Sequence, residues 1–282
     1  RKIKNFWKKM DELNVWNWDK NYSFGEICDG HMWKLHLRNK EGKVKVSKGH
    51  SEYPHNFRKV INALNNPIVT SALFLSIITS LIAITIVIVI GIPVAHIITK
   101  SNSRFIKYVD YTIELPIILP PVVVGFAMLM TFGRNGPVGK YLMDFGVSIP
   151  FTTIAVILAQ IFVAFPFFLR SVRLGLSNIN TDFEDIGSSL GLNPLKRFFY
   201  INLPLAWKSI INGAALGWAR AISEFGATLV FAGNLTGETQ TMPLAIISTM
   251  ESDFELGITL SAILILISTL VLILLARLRH YP

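Results

Sequence analysis

Arg220 and Glu224 stand four residues apart in an otherwise apolar run from 209 to 237. On a helix that spacing puts both on one face, where an arginine and a glutamate can pair. An ionised side chain at membrane depth is costly unless it meets a partner or water, so both are expected to face the interior of a bundle. Two roles fit them equally: a polar element beside a translocation path or dimer axis, or a packed ion pair that only sets the orientation of its helix. Other chemistries fail on spacing. "GRNGPVGKY", residues 133 to 141, looks like a phosphate-cradling loop, but its glycines are one residue too far apart and Tyr141 stands where a serine or threonine would hold magnesium. No second candidate loop exists, so any ATP must be hydrolysed on another subunit. Cys28 with His31, His36, His50 and His55 matches no zinc spacing, so no metal site is expected, and the single cysteine cannot close an internal disulfide. No cluster of nucleophile, base and metal ligands falls at membrane depth, which argues against an integral membrane enzyme. The basic residues interleaved with Trp7, Trp16, Trp18 and Trp33 read as a solvated or headgroup-facing segment rather than as a nucleic-acid surface.

The elements that must position these residues belong to a chain built for lipid. Its 282 residues are 51% hydrophobic, with a mean hydropathy of +0.48, high for a soluble domain. Crossing a hydrocarbon core takes about 20 helical residues, and five spans are expected, near 67–99, 115–133, 149–169, 206–237 and 256–277. They lack period-two alternation and are rich in Ile, Leu, Val and Ala, so they read as helices rather than barrel strands. The expected fold class is an all-α membrane protein, a polytopic helical bundle. Lys100, Arg104 and Lys107, then Arg170, Arg173, Lys196, Arg197 and Lys208, then Arg277 and Arg279 place two loops and the C-terminus in the cytoplasm. The intervening loops, 134–148 with mixed charge and 238–255 with Glu238, Glu251, Asp253 and Glu255 but no lysine or arginine, belong outside. That leaves residues 1–56 as a small, irregular extracytoplasmic segment despite their basic character, which long segments tolerate. The chain starts with Arg1 rather than methionine, and an upstream span would relieve the same conflict. "LHLRNKEGKVKVS", residues 35 to 47, alternates around Lys40, Glu41 and Gly42 and predicts a hairpin of two short strands.

Between the third and fourth spans lies the polar stretch "TDFEDIGSSLGLNPLKRFFYINLP", residues 181 to 204. Thr181 and Glu184 fit a capping box. A short helix would run to Leu190 and end at Gly191 in the left-handed conformation. Asn193 and Pro194 restart the chain as N-cap and first helical residue, and Pro204 marks the next boundary. The helix–turn–helix shows polar Asp185, Ser188 and Ser189 beside apolar Ile186, Leu190 and Leu192, a mixed surface suited to a groove on another protein. In the next span Gly213 and Gly217, with Ala221, form a small face that favours close helix packing within the bundle or across a dimer. Pro116, Pro120 and Pro121 break the second span, and backbone freed at that depth must be buried in protein or line a wet cavity; a merely kinked helix fits as well.

Residues 181–204 resemble the cytoplasmic signature of ATP-binding-cassette importer permeases: Glu-Ala-Ala, three residues, glycine, nine residues, then Ile-x-Leu-Pro. Asp185, Ile186 and Gly187 occupy the triplet with a shortened acid and both alanines replaced; Gly191, Ile201, Leu203 and Pro204 keep residue type and spacing. "ARAISEFGATLVFAGNLTGETQTMPLAI", residues 219 to 246, and "LPIILPPVVVGFAMLMTFGRNGPVG", residues 115 to 139, are similar to the corresponding segments of molybdate and tungstate permeases, and sulfate permeases share much of the Glu224–Ala227 portion. The resemblance covers roughly residues 57 to 280. It implies a type I importer bundle over residues 57–282, with a cytoplasmic coupling loop at 176–205. It also implies that Glu184, Asp185, Ile186, Gly187, Ser188, Gly191 and Leu192 meet a cleft of the ATPase, and that Pro120, Pro121, Glu224 and Thr228 lie at the path or gate. A dianionic cargo would require Glu224 to be neutralised there. The implied partners are a second copy of the chain, a homodimer of a cassette ATPase that uses ATP and magnesium, an extracytoplasmic molybdate- or tungstate-binding protein, and the lipid of the cytoplasmic membrane. No cofactor is expected on the chain itself. A sulfate-type permease, or a channel or carrier that works without ATP, is the alternative.

Overall fold

The computed structural model describes residues 21–23, 32–38, 44–50, 66–101 and 103–279. The chain divides into two compact units, Arg1–Asn66 and Pro67–Pro282, so the division falls after residue 66 where the sequence placed it after residue 56.

The first unit contains strands β1 (Asn21–Ser23), β2 (Met32–Arg38) and β3 (Val44–His50). β2 and β3 pair antiparallel from Met32 opposite His50 to Arg38 opposite Val44, the hairpin expected from the alternation of residues 35 to 47. The structure adds a strand that the alternation did not reveal: β1 pairs parallel with β3, Asn21 opposite Lys48, which makes β3 central. Three residues are too few for a periodic signal. Cys28, His31 and His55 lie outside the described residues.

The second unit is helical. Helix α1 (Pro67–Lys100) holds 34 residues, about 50 Å at 1.5 Å per residue and more than a 30 Å core requires. α2 (Arg104–Ile118) and α3 (Pro121–Phe132) follow, then a short α4 (Gly139–Asp144) and the 25-residue α5 (Thr153–Ser177). α6 (Thr181–Ser189) and α7 (Pro194–Arg197) lead through a π-helical turn, Phe198–Asn202, and α8 (Leu203–Leu205) into α9 (Trp207–Ile222). α10 (Gly226–Phe231), α11 (Met242–Ser252) and α12 (Phe254–Arg279) complete the chain.

α1, α5 and the Phe254–Leu274 portion of α12 are long and apolar enough to cross a membrane, and α2 and α3 meet that measure only when taken together, as a broken span or a re-entrant loop bent by 120°. The break at Leu119 and Pro120 is local chemistry: Pro120 and Pro121 lack amide hydrogens, and Pro121 opens α3 at the position where a missing donor costs nothing. The continuous helix expected over 206–237 is not formed. α9 stops at Ile222, a six-residue helix follows from Gly226, and Gly233 and Gly237 then turn with φ of 77° and 84°. Hydropathy alone does not register such an interruption, because the residues on both sides of it are apolar.

Lipid tails are as apolar as leucine, so packing and hydrogen bonds hold such helices together. One core joins α1, α5 and α9 through Ile84, Val87, Ala164, Phe168, Leu169, Trp218 and Ala221. Gly213 and Gly217 lie in this interface within one chain. A Cβ on Gly213 would sit 3.0 Å from the Phe168 carbonyl oxygen, and one on Gly217 would sit 2.9 Å from Ile84 Cδ1. Ser80 Oγ accepts from Trp218 Nε1 at 3.1 Å and Ser76 Oγ accepts from the Met242 amide at 2.7 Å, tying α1 to α9 and to the start of α11. A second core joins α3, α5 and α10 through Val124, Met128, Ala155, Val156, Ala159, Ala227 and Phe231.

Candidate functional site

Two sites emerge, one where the broken helices meet and one at the helix–turn–helix. In the first, α9 ends at Ile222 with Ser223 as its C-cap, and Glu224 follows with a fully buried side chain. One carboxylate oxygen, Oε1, accepts the Ala227 amide of α10 at 2.9 Å, while Oε2 lies 3.0 Å from the Arg220 guanidinium. The pairing inferred from the four-residue spacing is therefore present. The carboxylate does more than pair, because it also satisfies a donor that the helix break leaves orphaned. A negative group at the start of a helix is favoured there in any case.

α10 lies directly on α3. A Cβ on Gly125 would meet the Ala227 carbonyl oxygen at 2.8 Å and its Cα at 2.9 Å, and one on Gly226 would stand 3.0 Å from Pro121 Cβ. Pro121 and the Glu224–Gly226 break are thus brought together, with Pro120 capping α3 beside them. Thr228 is fully buried on α10, and its hydroxyl, with Gln160 Oε1, Gln240 Oε1 and Thr241 Oγ1, finds no hydrogen-bond partner among the described residues. Polar atoms of this kind mark functional depth in a membrane protein. Gly125 was missed by the sequence reading. A lone glycine in an apolar run announces a close approach, but not which backbone makes it.

The second site is built by caps. Asn180, not Thr181, is the N-cap of α6, its side chain accepting the Asp182 amide at 3.1 Å. The Thr181–Glu184 capping box is therefore not formed; the asparagine one residue earlier takes the cap and releases Glu184 for other partners. The C-terminus follows the expectation: Gly191 has φ of 80°, its amide bonds the Ser188 carbonyl at 2.9 Å, and the Leu192 amide bonds the Gly187 carbonyl at 3.0 Å. Those two bonds define a Schellman motif. Asn193 Oδ1 then accepts the Lys196 amide at 2.8 Å and Pro194 opens α7. Gly187 is buried beneath Ile201, whose Cδ1 would lie 2.6 Å from a Cβ there, and Ser188 Oγ accepts from Arg197. Asp185 is exposed, as are apolar Phe183, Ile186, Leu190 and Leu195, an unusual concentration for a solvent-facing turn.

Glu184 lies 2.5 Å from Lys100 Nζ and accepts Asn202 Nδ2 at 2.9 Å. Partial burial pushes its carboxyl upward, but hydrogen bonds from Lys100 and Asn202 and the charges of Lys100 and Arg197 outweigh this and hold it below the usual glutamate value. A carboxyl lowered on folding stabilises above its unfolded value and loses that contribution as the pH falls through the lowered one, so the contact is intact at neutral pH. The sequence singled out Lys100 only as a marker of the cytoplasmic side and did not single out Asn202; their contacts with Glu184 depend on the fold.

The fold and these sites define a class: a multi-pass helical membrane protein with interrupted spans meeting in its interior and a capped helix–turn–helix between two of its membrane segments. The chain belongs to the family of binding-protein-dependent transport system inner membrane components, whose sequence pattern matches residues 87–280. It is 39% identical over 207 residues to the "Probable transport system permease protein NifC" of Clostridium pasteurianum, covering 73% of this chain and 72% of that one. It is 36% identical over 210 residues to the "Molybdenum transport system permease protein ModB" of Mycobacterium tuberculosis, covering 74% and 80%. Among solved structures, a bacterial ABC transporter involved in the import of the acidic polysaccharide alginate aligns with a TM-score of 0.68 at 13% identity, over 79% of this chain and 82% of that chain. The fold is that of a type I ABC importer permease, and the protein is a transport permease of the cell membrane.

Proposed function

We propose that this chain is the membrane-spanning subunit of an ATP-driven importer of molybdate or tungstate, working as a homodimer. Two copies of a separate cassette ATPase supply the hydrolysis with ATP and magnesium, and an extracytoplasmic binding protein delivers the oxyanion. The C-terminus and the helix–turn–helix face the cytoplasm, and residues 1–56 face the opposite side. The cargo reading is supported by the molybdenum transport relative. The single structural observation that carries the coupling is the Schellman-closed α6–α7 unit, which presents Phe183, Ile186, Leu190 and Leu195 to solvent. In this mechanism closure of the ATPase pair displaces α6, and rigid-body rotation of the bundles alternates access to a path between the subunits. α3 and α10, packed through Gly125 and Ala227, form the gate, with Pro120, Pro121 and Thr228 beside it. Glu224 does not repel the dianion, since Arg220 and the Ala227 amide already engage its charge.

The test is uptake of labelled molybdate into proteoliposomes that hold the chain with its ATPase and binding protein. ATP-dependent uptake competed by tungstate and not by sulfate is the expected result. Uptake indifferent to ATP would refute the energy source, and competition by sulfate would refute the cargo.

Gly191→Val is expected to uncouple the same system. No neighbour lies within 4 Å of a Cβ at this position, so the cost is one of backbone rather than of space. An L-residue there pays about 1–2 kcal/mol for the left-handed conformation, and a β-branched one fits it worst. Oxyanion imported per ATP hydrolysed should fall well below wild type in the valine variant and stay near it in Gly191→Asn. Normal coupling in the valine variant would remove Gly191 from the coupling unit.

A further inference from the structure

α6 is only nine residues long and exposed on most of its surface. The chain holds it at both ends, at Asn180 and at the Gly191 turn. Two of its side-chain contacts, Gly187 against Ile201 and Ser188 with Arg197, stay inside the 180–205 segment and stiffen it. The Glu184–Lys100 ion pair instead leaves the segment and reaches the last residue of α1. Asn202, buried in the π-helical turn, donates to the same carboxylate oxygen, Oε1, that Lys100 engages.

Resting on the proposed function, we propose that Lys100 and Asn202 are positioning residues for coupling: through Glu184 they clamp α6 to the end of α1, so that displacement of α6 moves the 34-residue helix as one body. The path from that clamp is physical throughout. Gly91 of α1 packs against the Phe168 ring, Ile84 seats on Gly217, and Ser80 holds Trp218 of α9. Trp218 stands two residues before Arg220, whose partner Glu224 caps α10, and α10 lies on α3. Ser76 of α1 holds the start of α11. The π-helical turn suits such a junction, since such turns are frequent at functional sites and here one brings Asn202 onto Glu184.

With its lysine partly exposed, the pair adds little to stability; its effect is on geometry, so coupling rather than folding is the quantity to read. Two measurements on the full chain, reconstituted with its ATPase and binding protein, test the clamp. In the first, Glu184→Gln and Lys100→Gln are each expected to lower oxyanion imported per ATP by at least about fivefold. The double variant should be no worse than either single one, because they break one interaction, and Lys100→Arg should retain coupling. Additive losses, an unchanged ratio, or Lys100→Arg as poor as Lys100→Gln would overturn the proposal. In the second, spin labels at positions 97 and 189 in a Cys28→Ser background report the distance between α1 and α6. A narrow distribution in the parent that broadens in Lys100→Gln is expected, and equal widths would overturn the clamp. The second measurement needs no transport, so failure of the importer reading and failure of the clamp remain distinguishable.

Discussion

Glu224→Ala is expected to destabilise the folded chain by about 3 kcal/mol, the low end of the cost of breaking a buried ion pair, because only the glutamate of this pair is fully buried. The side chain is fully buried, and its loss leaves Arg220, whose own side chain is 28% exposed, without its counter-charge. The same substitution strips the Ala227 amide of its acceptor at the start of α10, and an orphaned buried donor adds about 1–3 kcal/mol in its own right. The two losses overlap in one carboxylate, so they do not sum. Glu224→Gln separates them: its amide oxygen can still accept from Ala227 while the charge is gone, and it should recover part of the loss. Thermal unfolding of the purified chain in detergent or nanodiscs reads both variants. A Glu224→Ala protein that melts with the wild type would show that the carboxylate neither holds the helix break nor balances Arg220. Because α10 is only six residues long, loss of its cap should also loosen the α3–α10 contact, so transport should fall further than the shift in melting implies.

Gly125→Val is the second large effect. A Cβ there meets backbone atoms of Ala227, at 2.8 Å and 2.9 Å, and the Val230 Cβ at 2.9 Å. Backbone cannot swing aside as the end of a long side chain can, so α3 must move off α10. Overpacking of this kind costs about 1–3 kcal/mol and more where relaxation is blocked, a fall of roughly 2–12 °C in melting temperature for a chain of this size. Gly125→Ala should show the same sign with a smaller shift. In the reconstituted importer the valine variant should hydrolyse ATP with little import, since the two elements of the proposed gate no longer close on each other. Wild-type melting together with wild-type import would refute the close contact.

The contrast between these two residues shows what the sequence can and cannot say. Arg220 and Glu224 betray themselves by charge and by a four-residue spacing, both local properties. Gly125 hints at a close approach but not at its partner, since Ala227 lies in another helix. Glu184 shows the same limit from the other side. Its spacing from Thr181 fits a capping box, but Asn180 caps the helix and Glu184 is taken by Lys100 and Asn202. Local rules count what a residue could reach along its own helix; the fold decides whether a stronger partner arrives from elsewhere.

The sequence by itself determined the helical membrane class, because long apolar runs without alternation leave the backbone no other way to satisfy its hydrogen bonds in lipid. It named Pro116, Pro120 and Pro121 as a break or a kink without choosing between them, and Pro116 lies inside α2; it did determine the left-handed turn at Gly191 and the restart at Asn193–Pro194, because glycine and asparagine act on their own backbone. It determined the β2–β3 hairpin through a period of two. Only the tertiary structure decided that the run from 206 to 237 breaks at Glu224, that Gly213 and Gly217 pack within one chain, and that α6 is tied to α1. Each of those outcomes depends on atoms far apart in the chain, and their energies exist only once the helices have met.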